Sequence, residues 1–166
     1  MVAAKKYVMV KSTAKQVSGH TVYRIRALRN FSDVKKGDLG GYIQKHANLS
    51  HTGKAWVYDN AHVFGDAVIS GNASVAHSAS VYGMARVYGN AEVFWNAKVY
   101  GAAKVYGDAR VYGRAKVSVY AHVFEGAVVT GNADVRGNAR VYGDAYISGN
   151  ADVRGNTKVY IDKREG

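Results

Sequence analysis

The chain has 166 residues with no cysteine and no proline, which excludes disulfides and thiolate metal sites but leaves enough chain for one domain with a real core. The net charge of +11 is placed unevenly: residues 1–54 hold 11 Lys/Arg against 2 Asp/Glu, and residues 55–166 hold 12 against 10, an asymmetry that points to a polyanionic partner. No apolar run reaches the roughly 18–20 residues of a membrane span, and no long apolar stretch of the secretory kind opens the chain, so a soluble cytoplasmic protein with no membrane partner is expected.

In chain order, the first elements are two strand-like runs, KYVMVK beginning near residue 6 and TVYRIRAL at 21–28. They flank the turn sequence VSGHT and predict a hairpin. Arg24 and Arg26 fall on one side of the second strand, with Tyr23, Ile25 and Ala27 on the other. Arg29, Lys35 and Lys36 follow and extend a basic surface. Ile43 and Leu49 are six apart with Ala47 in the small position between them, so coiling is expected to start near Gly41, with a loop at 50–53. Residues 1–40 then read as a cap over an open apolar end, which a solenoid requires, and residues 41–166 as the solenoid.

From Val57 the register never slips. Val or Ile recurs every six residues to Val159, giving 18 hexads, and Ala precedes it by two positions in all but Thr157. Gly follows by two positions in 12 of the 18. Ala and the aliphatic residue share one face of a short strand, and Gly-Asn or Gly-Asp supplies a corner. A period of two inside a period of six is not helical, and six residues are too few for a helical crossover. Coils that stack on one another remain.

The hexads resemble those of left-handed parallel β-helix proteins, the hexapeptide-repeat family, in which three hexads make one triangular coil. That resemblance implies an all-β, single-stranded left-handed β-solenoid of about six triangular coils behind an N-terminal hairpin cap. At about 4.8 Å per coil the prism is on the order of 29 Å long. The run NFSDVKKGDLGGYI followed by NLSHTGKAWVYDNA is similar to the opening of a group of bacterial and phage solenoid proteins, often described as hexapeptide transferases or polymer-forming proteins. A phage origin would suit an inhibitor of a host system. The charged end IDKREG would discourage end-to-end pairing.

Folding the hexads in threes sorts the outward residues onto three faces. One face gathers Arg86, Lys104, His122, Arg140 and Lys158 beside Tyr88, Tyr106, Phe124, Tyr142 and Tyr160, headed by Val68 and Ser70. Cations beside aromatics suit phosphates and stacked bases, or an acidic protein surface. Exposed aromatic area of this extent also suits packing against a second copy. A corner column carries Asp59, His77 and Trp95 in its first half and Gly in its second.

An enzyme is the alternative, because hexapeptide acyltransferases and γ-type carbonic anhydrases share the fold. The acyltransferases use a His on a loop that interrupts the coils, and no insertion interrupts residues 57–159 here. His77 is the nearest candidate base. His62 and His122 fall on different faces, so no three-His metal site is expected, and Asp134 and Asp152 read as a solvated pair. The expectation is a non-enzymatic module with no cofactor. It docks on an acidic protein surface or on nucleic acid through the basic cap and the basic–aromatic face. Acyl transfer and self-assembly are the alternatives.

Overall fold

The computed structural model describes residues 4–162; the last four residues of the charged tail lie outside the described residues. Strands β1 (Tyr7–Val17) and β2 (His20–Ala27) form the expected antiparallel hairpin. Ser18 and Gly19 take φ of 48° and 80°, the two positive angles that a tight two-residue hairpin loop demands. The first strand runs further than its apolar core suggested. A register shift between Val10 and Lys15 accommodates the extra length, and there Thr13 Oγ1 accepts from Arg24 N at 2.8 Å and donates to Val10 O at 2.6 Å. Strand β3 (Leu39–Ile43) pairs antiparallel with β2 on one side and parallel with His62–Val63 on the other. The hairpin therefore continues one sheet of the solenoid.

Three parallel sheets form the solenoid. Sheet I, which includes the hairpin, has nine strands and ends at Asp152–Val153. Sheet II has six, from Val68–Ile69 to Lys158–Ile161, and sheet III has six, from Trp56–Val57 to Tyr146–Ile147. Within the regular array, from Trp56–Val57 on, parallel strand partners lie 18 residues apart, as in Lys104 with Arg86 and His122. The Ala and Val or Ile of every hexad from Ala55 to Val141 are fully buried. Each Val contributes roughly 1.5–3 kcal/mol by leaving water.

The coils number about seven, one more than the regular hexads alone provide. The added coil is the irregular first one: Ile43 pairs with Val63, Leu49 bridges to Ile69, and Trp56–Val57 pairs with Ser74–Val75. Ala47 does not occupy the interior there. A short 3-10 turn over His46–Asn48 turns it outward and buries Asn48 instead. The Asn48 amide is fully employed: Oδ1 accepts from Gln44 N and Lys45 N, and Nδ2 donates to Gly65 O and Ala67 O. Gly40 and Gly41 let the hairpin approach this coil, since a Cβ on Gly40 would lie 2.6 Å from Val57 O and one on Gly41 2.7 Å from Ala61 O.

The corners do more than turn. Asn side chains hydrogen-bond from coil to coil, Asn72 to Asn90 to Asp108 at 3.1 and 2.9 Å, and Asn132 to Asn150 at 3.1 Å. Five corner positions that lack Gly still take its left-handed conformation: Asp59, His77, Trp95, Val119 and Glu125, with φ between 53° and 64°. Asp59 Oδ2 accepts from His77 N at 3.0 Å and Glu125 Oε2 from Gly143 N at 2.8 Å, so these two corners gain a bond to the next coil.

Candidate binding face

Sheet II carries the cations in register. Arg86, Lys104, His122, Arg140 and Lys158 are successive partners across its strands, headed by Val68. No outward position of this sheet holds a carboxylate, and among the described residues none of these cations is ion-paired. The other two sheets carry carboxylates among their outward residues and pair some of their cations with them: Arg110 with Glu92 on sheet III, and Arg136 and Arg154 with Asp152 on sheet I, where Lys98 and Lys116 stay without an ion pair among the described residues. Burial and the flanking Lys104 and Arg140 push the His122 pKa below its ordinary value, so this rung is neutral at pH 7. Glu125 and Asp108 belong to the adjoining corner, where they accept the hydrogen bonds described above.

Beside the cations stands one continuous aromatic stack. Tyr88, Tyr106, Phe124, Tyr142 and Tyr160 lie 4.9–5.0 Å apart between ring centroids, with planes within 10° of parallel. Tyr106 also lies edge-on to His122, with its hydroxyl 3.4 Å from Nδ1. The spacing is that of the strands, so each inner ring has both faces covered by its neighbours and offers only its edge. Bases cannot stack on those inner rungs.

The stack has a defined beginning. Ser70 stands where the next ring would be, so one face of Tyr88 is uncovered. Val68, Ser70, Arg86, Tyr88 and Lys104 line a depression of about 250 Å³ there. A second ladder, Phe64–Tyr82–Tyr100 on sheet I, also stops at a serine, the buried Ser118. It opens a depression of about 390 Å³ whose rim is apolar, with Met84, Val119 and Tyr120 exposed.

Among the cap cations, Arg24 stands apart from this face. Arg24 lies on the outward row of sheet I, level with Tyr42 and His62. Its guanidinium donates to Gly40 O, Asp59 O and Asn60 Oδ1 and lies 4.5 Å from the centroid of the Tyr42 ring, so it holds the hairpin to the coils. Arg29 reaches His51 O at 3.3 Å. Arg26, Lys35 and Lys36 are exposed. Arg24 thus belongs to sheet I, while the row from Arg86 to Lys158 belongs to sheet II.

The sequence reading missed a polar cluster under the hairpin. Lys6 is buried, and its Nζ donates to Ala55 O at 2.6 Å. Burial and nearby Arg29 lower its pKa to about 8. Tyr7 is buried against His51 with ring centroids 4.2 Å apart, and its hydroxyl donates to Leu49 O. Lys6 N donates to His51 Nδ1, so the His51 proton sits on Nε2 and faces His46 Nδ1 at 3.3 Å. These groups come from segments 39 or more residues apart, which no local pattern links.

The catalytic candidates gain no support from geometry. His77 sits on an exposed corner, and its contact with a carboxylate runs through its backbone N–H rather than its ring. His62 and His122 lie in sheets I and II. Among the described residues no group of three His, Asp or Glu could hold a metal. Asp134 and Asp152 stack as expected but are not simply solvated, because Arg136 reaches both, at 3.9 and 2.9 Å. No described helix is long and apolar enough to cross a membrane.

Comparison with known proteins adds a short likeness. No family model matches the chain. The uncharacterized acetyltransferase YdcK of Escherichia coli (strain K12) is 46% identical over 48 residues, which is 28% of this chain and 15% of that relative. The β-solenoid fold therefore stands on the coils themselves.

Proposed function

We propose that the chain is a rigid docking module that holds an acidic surface of a protein partner on sheet II. The observation that carries this reading is the row Arg86, Lys104, Arg140 and Lys158, which faces outward in a sheet with no carboxylate at any outward position, whereas sheet III carries Glu92 and sheet I Asp134 and Asp152 among their outward residues. Cations held on adjacent strands cost little further ordering when a partner binds. Nucleic acid is the weaker fit. The inner rings cannot stack on bases, and the roughly 4.8 Å strand spacing does not match the roughly 3.4 Å rise per phosphate along one duplex strand. The test is titration with poly-glutamate and with a single-stranded oligonucleotide over a salt series. The variant replaces Arg86, Lys104, Arg140 and Lys158 with Ser. Poly-glutamate binding that disappears in this variant supports the reading. Equal binding by both proteins, or oligonucleotide binding alone, sinks it.

Acyl transfer is the second reading, favoured by the local likeness to YdcK. It requires acetyl-CoA binding, and calorimetry with acetyl-CoA decides it: no heat of binding removes it.

A further inference from the structure

The place where the aromatic stack begins is a gap of one rung. Every ring of the stack from Tyr106 to Tyr142 is sandwiched between two others, whereas Tyr88 has Tyr106 on one face and the small Ser70 on the other. Val68 heads the neighbouring column in the same way, so nothing bulky fills the space above Arg86. The resulting depression of about 250 Å³ has an open aromatic face on its floor and two unpaired cations, Arg86 and Lys104, along one side. The second ladder end differs in its rim, which carries no charged side chain.

We propose that this missing rung anchors the partner: an aromatic side chain with a carboxylate beside it enters from the acidic partner, stacks on Tyr88 and places its carboxylate against Arg86 and Lys104. This rests on the docking reading and names its central contact. An incoming ring at the ladder spacing would repeat a geometry already made between each pair of neighbouring rings. Buried aromatic anchors beside charged pairs are the usual centres of binding energy at interfaces. The flanking cations select an acidic context for the ring, which a purely apolar rim would not do.

The probe is a fluorescent twelve-residue peptide of glutamates with one central tyrosine, compared by anisotropy with the same peptide carrying alanine at that position. The expected result is about tenfold tighter binding of the tyrosine peptide to the native chain. Ser70→Tyr supplies the rung from within, and it should bring the two peptides to equal affinity while leaving the charge ladder intact. Tyr88→Leu removes the stacking floor and should do the same, so the test does not depend on one variant folding. Equal affinity of both peptides for the native chain overturns the anchor but leaves the docking reading standing. Failure of both peptides to bind overturns both. A tyrosine preference that survives Ser70→Tyr and Tyr88→Leu places the ring elsewhere and overturns the anchor alone, as does displacement of the tyrosine peptide by AMP at equal or lower concentration.

Discussion

The hairpin with its first coil and the regular array bury continuous apolar cores, yet they are held by different means. In the array one contact type repeats: Val on Val from coil to coil, Ala filling the remaining width, and Asn or Asp ladders at corners. Each coil touches only its neighbours, so damage stays local and is shared by many equivalent contacts. The N-terminal region has no such redundancy. Asn48, Lys6, Tyr7 and Arg24 each make bonds that nothing else among the described residues duplicates. Repetition makes a structure tolerant, and unique polar contacts make it specific.

Four substitutions or conditions probe that difference. The largest effect is expected at Asn48. Asn48→Leu strands the Lys45 N–H and the Gly65 and Ala67 carbonyls that now bond its side chain, while Gln44 N keeps its bond to Val63 O, at a cost of about 4 kcal/mol. Urea unfolding should show it, and a loss under about 1 kcal/mol would mean that water or the backbone replaces those bonds. Val105→Ala, in the middle of the array, removes two methyl groups from a fully buried site and should cost about 2 kcal/mol. A cost equal to that of Asn48→Leu would contradict the tolerance ascribed to the repeat.

Acid comes next and weighs on the N-terminal region. Burial and neighbouring cations hold the pKa values of His46, His51 and His62 below the ordinary value, with His122 alone in the deeper array. The unfolded chain therefore takes up protons first as pH falls through about 6.5. The stability these groups allow is complete above that pH and declines below it. For His51 geometry gives the same sign, because a proton on Nδ1 would displace the Lys6 N–H that now donates to it. A melting temperature several degrees lower at pH 5 than at pH 7.5 is expected, and the double variant His46→Gln, His51→Gln should reduce that difference. A pH response unchanged in the double variant would move its cause elsewhere.

Much of the architecture was legible because the physics is local. Ala and Val two apart, repeated every six, leave a stacked coil as the only economical arrangement, and Ser18-Gly19 between two alternating runs marks the hairpin. The first coil was legible only in part. Ile43 and Leu49 are in step, but Ala47 is turned out by a 3-10 turn that depends on the long-range bonds of Asn48 to Gly65 and Ala67. The face of the candidate site followed from counting by 18. The commitment of Arg24 to the fold did not, because its partners Gly40, Asp59 and Asn60 become neighbours only once the hairpin joins sheet I. The open rung was present as Ser70 in an otherwise aromatic column, a signal with no meaning until the rings are known to stack.

The smallest predicted effect has the opposite sign and separates the corner residues by purpose. At Asp59 and Glu125 a left-handed backbone comes with a side-chain bond to the next coil, so glycine there would relieve strain and lose a bond together. Val119 holds φ at 64° with a β-branched side chain, 45% exposed and without hydrogen-bonding groups. That conformation costs a non-glycine residue about 1–2 kcal/mol. Glycine gives back roughly 0.5–1 kcal/mol of this through the extra freedom of its unfolded chain. Val119→Gly should therefore leave the protein about 0.5 kcal/mol more stable, a rise of roughly 1–2 °C in melting temperature. Asp59→Gly and Glu125→Gly serve as controls and should show no gain. A loss at Val119 as well would mean that its apolar contacts in the depression beside Met84 and Tyr120 outweigh the strain, and that this corner, like the two acidic ones, is held left-handed by what its side chain touches.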